Sequence, residues 1–355
     1  RLFYRTNMKR NKPYGFLCSE SHYEAALKIA HEGIVLLKNE KMKELNNESL
    51  LPLDINKTKK VLVVGENAIK MMTVGGGSSS LKAQKEILPL DGIKARLAGV
   101  DVSYARGYVG DTIQSYNGVT VGRSLYETRT QAELTAEAVE MARQADVVIF
   151  VGGLNKSDHQ DCEGHDRKSY DLPYAQNDVI EAILKVNPRL VYVNISGNGA
   201  ALPWINKVPA VVQAWFIGSE AGEAIASVLV GDVNPSGKLP FTWYASLNQC
   251  GAHATGSYPG TWREDYKIID EEYKEGIYVG YRYTDAKKLK PLFAFGHGLS
   301  YTTFKLGKAT ANTQELTPNT QITITVPVTN TGNRAGSETV QLYIAAKDSM
   351  VERPV

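Results

Sequence analysis

Cysteine is scarce in this chain. Cys18, Cys162 and Cys250 are far apart and odd in number among 355 residues. Three such thiols cannot form the disulfide framework of a small secreted domain, and they leave the redox compartment open. A charge excess is missing too: 40 basic residues face 38 acidic ones, a formal net charge of +2. Without a basic surplus to neutralise phosphates, nucleic acid is not an expected partner. No run approaches the roughly 18 apolar residues that a membrane helix needs, so no membrane partner is expected either. A hydrophobic fraction of 43% with 22% charged residues is ordinary for a folded chain and too apolar for a disordered one. The length suits about two domains.

Phosphate fingerprints are also absent. Val64-Gly65-Glu66-Asn67 follows an apolar run but is not GxGxxG, and Gly75-Gly76-Gly77-Ser78-Ser79-Ser80 is not GxxxxGK[ST]. This argues against a nucleotide-binding α/β protein. The ends, Arg1-Leu2-Phe3-Tyr4-Arg5 and Val351-Glu352-Arg353-Pro354-Val355, read as cuts through a longer chain, so the lack of a leader says little. Location stays open, with a secreted or periplasmic setting slightly preferred. The sequons at Asn47, Asn56 and Asn194 occur easily by chance and add little.

What is present is an alternation of helical and extended segments. Ser21-His22-Tyr23-Glu24 reads as a capping box, and apolar residues from Ala26 to Leu37 recur at helical spacing, giving a first helix ended by Asn39. Apolar strands are expected at 61–64, 100–104, 147–151, 190–195 and 209–214. Helices are expected at 88–97, 132–145, 175–186 and 221–229. Continuous apolar strands between helices predict an α/β fold, a mostly parallel sheet covered on both faces. Ligands of such sheets gather beyond the carboxyl ends of the strands. After about residue 245 glycine, tyrosine and turn residues become dense. Ile322, Ile324, Val326 and Val328 then alternate with polar residues, as do Val340, Leu342 and Ile344 around the turn Asn330–Asn333. This predicts the beginning of a β-sandwich, truncated after three or four strands. The expected division is an α/β domain at 1–298, with a connecting segment at about 246–298, and an incomplete sandwich at 299–355.

The most polar stretch, Asn155 to Arg167, follows the strand that ends at Val151. Glu163 could serve there as an acid/base carboxylate on a mobile loop. His159, Asp161, Cys162 and His165 could hold a metal, but their spacing fits no common zinc pattern. A solvated surface loop is the plainest alternative. The Gly75–Ser80 loop could let backbone approach a sugar, or could be a flexible turn. Tyr278, Tyr281, Tyr283, Phe293, Phe295, Tyr301 and Phe304 read as packing rather than a sugar platform.

Longer signatures narrow these choices. Ala30-His31-Glu32-Gly33-Ile34-Val35-Leu36-Leu37-Lys38-Asn39-Glu40, Gly218–Ala226 with Gly231–Pro240, Glu275–Tyr283 and Pro291–Phe304 resemble glycoside hydrolase family 3, the β-glucosidase and β-xylosidase family. Val328–Gly332 through Gln341–Tyr343 resembles the fibronectin type III-like domain found in many members. The resemblance covers nearly the whole chain. It implies an α/β sandwich domain, with a catalytic barrel that would carry the nucleophilic aspartate in a Ser-Asp-Trp-like motif. That motif is not here; the one Ser-Asp pair, Ser157-Asp158, precedes His159. Glu163-Gly164-His165-Asp166-Arg167 with Leu172-Pro173 resembles the family's acid/base loop, which implies Glu163 as general acid/base. Ser78, with Gly76 and Gly77, is implied as a sugar contact. No metal and no cofactor are expected. The implied substrate is a β-linked oligosaccharide or glycoside, and the implied partner is the barrel. The implied function is the acid/base half of a retaining exo-acting β-glycosidase, most readily a β-glucosidase. The alternatives are β-xylosidase specificity and a non-catalytic sugar-binding or interaction module.

Overall fold

The computed structural model describes residues 15–344 apart from 114, 117 and 316. The terminal stretches Arg1–Arg5 and Val351–Val355 lie outside the described residues. A six-stranded sheet is formed by β1 (Val35–Asn39), β2 (Lys60–Val64), β3 (Asp101–Ala105), β4 (Val147–Gly153), β5 (Leu190–Ile195) and β6 (Ala210–Gln213). The spatial order is β1-β6-β5-β4-β2-β3. Neighbours from β6 to β3 run parallel, and β1 closes one edge antiparallel to β6.

Five helices accompany the sheet: α1 (Glu20–Gly33), α2 (Pro89–Arg96), α3 (Gln131–Gln144), α4 (Gln176–Leu184) and α5 (Ala221–Val230). Successive strand residues point to opposite faces, so a strand covered on both sides must be apolar throughout. All seven residues of β4 are buried. Val61, Val63, Ile149 and Val193 pack with Leu90 and Ile93 of α2 and Ile225 and Leu229 of α5. Leu62, Val148, Phe150 and Tyr192 pack on the other face with Ala138 of α3 and Val179 and Ile183 of α4. The expected two-sided α/β layer is the observed one.

Two local expectations are corrected. The cap of α1 is Ser19, which forms a capping box with His22, so the helix begins before Ser21. It also stops at Gly33 instead of running to Asn39, and Val35–Asn39 is strand β1. Ile34 and Leu36 enter one core layer while Val35 and Leu37 enter the other. An apolar run that must fill both faces is extended by necessity. A helix would have presented a single stripe.

Beyond the sheet, the chain forms short antiparallel pairs. β7 (Thr261–Arg263) pairs with β8 (Ile268–Asp270), β9 (Phe304–Leu306) with β12 (Val328–Asn330), and β10 (Thr310–Ala311) with β11 (Ile324–Thr325). β11 and β12 are exposed throughout, and 340–344 carry no strand. The period-two pattern is thus only partly realised as strand among the described residues. Segment 291–301 turns back onto the α/β layer: Leu239 N donates to His297 O at 2.9 Å and Leu299 N to Leu36 O at 2.8 Å. Phe293 meets Trp243 edge-on at 6.0 Å and Tyr281 stacks on Phe295 at 5.3 Å, which makes these aromatics packing groups.

Candidate active site

The carboxyl ends of β2, β4 and β5 share one edge of the sheet, so the segments that follow them meet there. After β2 comes Gly75–Ser80, after β4 comes Asn155–Arg167, and after β5 comes Gly197–Gly199. Several bonds hold the β4 loop in shape. Asn155 N donates to Gln160 Oε1 at 2.8 Å and Asp161 N to Asn155 O at 3.0 Å. The Asp161 carboxylate accepts from Gly197 N at 2.6 Å and from Asn198 Nδ2 at 2.8 Å. Burial pushes the Asp161 carboxyl up, against these two donors and Arg167. Arg167 donates to Asn198 Oδ1 at 2.6 Å and Gly199 O at 2.7 Å. The loop is thereby stitched to the neighbouring strand end.

Glu163 stands exposed at the loop's outer turn. Its backbone N donates to Gly76 O at 3.1 Å. Its Oε2 accepts from Ser78 N at 2.7 Å and from the Ser78 hydroxyl. Gly77, at φ +88°, lies so close that a Cβ there would be 2.9 Å from Glu163 Cβ and Oε2. The four residues singled out in the sequence, Gly76, Gly77, Ser78 and Glu163, therefore touch. The Ser78 side chain, then its amide, hold the Glu163 carboxyl below the usual glutamate range, and Lys156 adds to this. In this arrangement Glu163 is a carboxylate at neutral pH.

Two cavities flank it. One of about 980 Å³ is lined by Asp161, Asp166, Arg167, Phe216, Tyr244 and Tyr258, among others. One of about 280 Å³ is lined by Lys70, Gly75, Tyr116, Ser157 and His165, among others. Glu163, Gly76, Lys156 and Cys162 line both. A concave site of this kind with a few convergent polar groups is the default binding site of an α/β sheet.

The metal quartet read from the sequence does not converge. Asp161 faces Gly197 and Asn198, and the Cys162 thiol donates to His165 O at 3.6 Å. His159 and His165 do come together, with ring centroids 5.1 Å apart, but with Asp158 as their third member.

Sequence reasoning missed a buried ionic network beneath the loop. Glu66, Lys70, Arg106 and Asp111 are all buried. Arg106 Nη2 donates to Glu66 Oε2 at 2.9 Å, as does Asp111 N. Lys70 Nζ pairs with Asp111 and donates to Ser157 Oγ at 3.0 Å, which ties the network to the Glu163 loop. Burial pushes Glu66 up, opposed by Lys70 and Arg106.

A sequence model described as glycosyl hydrolase family 3 C-terminal domain matches residues 34–301. The chain is 50% identical to the β-glucosidase BoGH3A of Bacteroides ovatus, over 100% of this chain and 46% of that protein. It is 36% identical to the thermostable β-glucosidase B of Acetivibrio thermocellus, over 98% of this chain and 41% of that one. Among solved structures, the family 3 β-glucosidase of Bifidobacterium adolescentis superimposes with a TM-score of 0.73 at 31% identity, covering 92% of this chain and 42% of that one. The glucose complex of the Kluyveromyces marxianus β-glucosidase gives 0.79 at 25% identity, covering 99% and 56%. The α/β layer and the match over residues 34–301 define a glycoside hydrolase domain. The chain belongs to glycoside hydrolase family 3 and carries its C-terminal domain. It spans about half the length of the curated relatives it matches.

Proposed function

We propose that this chain supplies the acid/base half of a retaining β-glucosidase, with Glu163 as the proton donor and a barrel outside these residues as the source of the nucleophile. The observation that carries the reading is the position of Glu163 on the wall common to two cavities, in contact with the glycine-rich loop. The β-glucosidase names of the relatives supply the substrate class.

The chemistry constrains how Glu163 works. A retaining glycosidase sets two carboxyl groups about 5–5.5 Å apart, one nucleophilic and one protonated. As it stands, Glu163 is exposed and ionised, and Ser78 further stabilises its charge. Two changes convert it into an acid. The carboxyl leaves Ser78, and a sugar with the barrel wall excludes water from it, which disfavours the charged form. The proton then passes to the glycosidic oxygen as the bond to the anomeric carbon breaks. In the second step the resulting carboxylate takes a proton from the attacking water. Ser78, freed from Glu163, becomes a hydrogen-bonding group for sugar hydroxyls.

Azide rescue of Glu163→Ala tests this in the full-length protein. Azide needs no general base, so it attacks the glycosyl-enzyme where water no longer can. Restored turnover with a β-glycosyl azide product is expected. Absence of that product, with the nucleophile shown to be intact by covalent labelling, overturns the assignment.

A further inference from the structure

We infer that Asp158, His159 and His165 form a binding site for a divalent transition ion of the zinc type, on the loop that presents Glu163. The inference does not rest on the proposed glycosidase activity. One ligand atom from each of the three residues lies within 4.8 Å of the other two. Two imidazoles and a carboxylate are the donor set that zinc-type ions take, at metal–ligand distances of about 2.0–2.2 Å.

The histidine chemistry fits an ion at this position. His159 Nδ1 lies 3.1 Å from Asp166 O. A carbonyl only accepts, so Nδ1 carries a proton, and in the neutral imidazole Nε2 keeps its lone pair. That Nε2 lies 3.6 Å from Asp158 Oδ2. A ligating histidine that donates its other nitrogen to a backbone carbonyl is the usual outer arrangement of a metal site. His159 sits at φ +58°, and its ring lies beside that of His165, centroids 5.1 Å apart. His165 Nδ1 hydrogen-bonds Asp158 Oδ1. A neutral imidazole can hold its proton on Nε2 instead, so an ion can take the place of the Nδ1 proton between ring and carboxylate. The side chains of Asp158 and His165 are 60% and 62% exposed, so the ion has a path in. Three protein ligands leave a fourth position for water. The ion would clasp residue 158 to residue 165 and close the turn on which Glu163 stands.

Binding of Co²⁺ and Zn²⁺ to the untagged chain tests this. One Co²⁺ per chain is expected, with visible absorption bands of tetrahedral intensity, displaced by Zn²⁺. His159→Ala and His165→Ala should each weaken Zn²⁺ by about tenfold or more, on the scale seen when metal sites lose a supporting group. Asp158→Asn keeps the shape of an exposed side chain, so it reports on ligation where a larger change disturbs the loop. Cys162→Ser should leave affinity unchanged. Zn²⁺ should also slow amide exchange of residues 158–166. The site is overturned if no stoichiometric ion binds, if the two histidine variants bind like the parent, or if Cys162→Ser abolishes binding.

Discussion

Ser78 and Glu163, 85 residues apart in sequence, meet at a single oxygen: the amide and the hydroxyl of Ser78 both donate to Glu163 Oε2. This contact favours the charged form of Glu163. Ser78→Ala removes the largest of the contributions that hold the carboxyl low. In metal-free buffer, the Glu163 titration followed by NMR in a labelled chain should move up toward the ordinary glutamate value of about 4.3. An unmoved titration would show that the hydroxyl does not engage Glu163 in solution.

Gly77 sets the distance between the two loops. Alanine there meets Glu163 at 2.9 Å and must hold φ at +88°. The backbone cost is about 1–2 kcal/mol, and Glu163 must move away. Gly77→Ala should lower the melting temperature modestly and raise KM of the full-length protein. A lower melting temperature with unchanged KM would make the loop a structural turn only.

Lys70 is the keystone of the buried network. Its removal leaves Asp111 and Glu66 short of a cation in the interior. Lys70→Met should cost about 3–5 kcal/mol in denaturant unfolding, the range for breaking a buried ion pair from one side. A loss below about 1 kcal/mol would mean that water or rearrangement already compensates these charges.

Asp146 gives a pH test. Its carboxylate accepts from Lys59 N at 2.8 Å and Lys60 N at 2.9 Å, and these amides hold its carboxyl below the usual aspartate range. A depressed folded-state value means stability that is present above the unfolded value of about 3.9 and lost as pH falls through the folded one. Asp146→Ala should therefore destabilise at pH 7, and the gap to the parent should shrink as the pH drops below about 4. A gap independent of pH would assign the effect to packing.

Much of the layer was legible because a buried parallel strand has little choice of residues: the expected strands 147–151 and 190–195 are largely apolar, and each lies in a strand buried from end to end. β1 was not legible in the same way, because Ile34–Leu37 fits a helical stripe as well as a two-faced strand, and only the partner β6 decides. Glu163 stood out through its place after β4 and its resemblance to a family loop. Its contact with Ser78 follows from the adjacency of β2 and β4, which no local spacing encodes. The Glu66–Lys70–Arg106–Asp111 network was invisible for the same reason: its members come from two separated segments and look like ordinary surface charge. The metal quartet failed because neighbours in a loop need not point the same way, and Asp161 turned to the β5 end.

The chain alone, purified without a barrel, should not hydrolyse aryl β-glucosides, because it lacks the Ser-Asp-Trp-like motif of the nucleophile. Turnover by the chain itself, surviving removal of trace contaminants and lost on Glu163→Ala, would require a nucleophile among its own carboxylates.

The most direct measurement of the central claim is the dependence of the Glu163→Ala defect on the leaving group in the full-length protein. A general acid contributes about 10²–10⁴-fold where the departing oxygen needs a proton. The loss in kcat/KM should reach that range for a disaccharide and shrink strongly for an activated phenol, which departs without protonation. An equal loss across the whole series would contradict the assignment of Glu163 as proton donor.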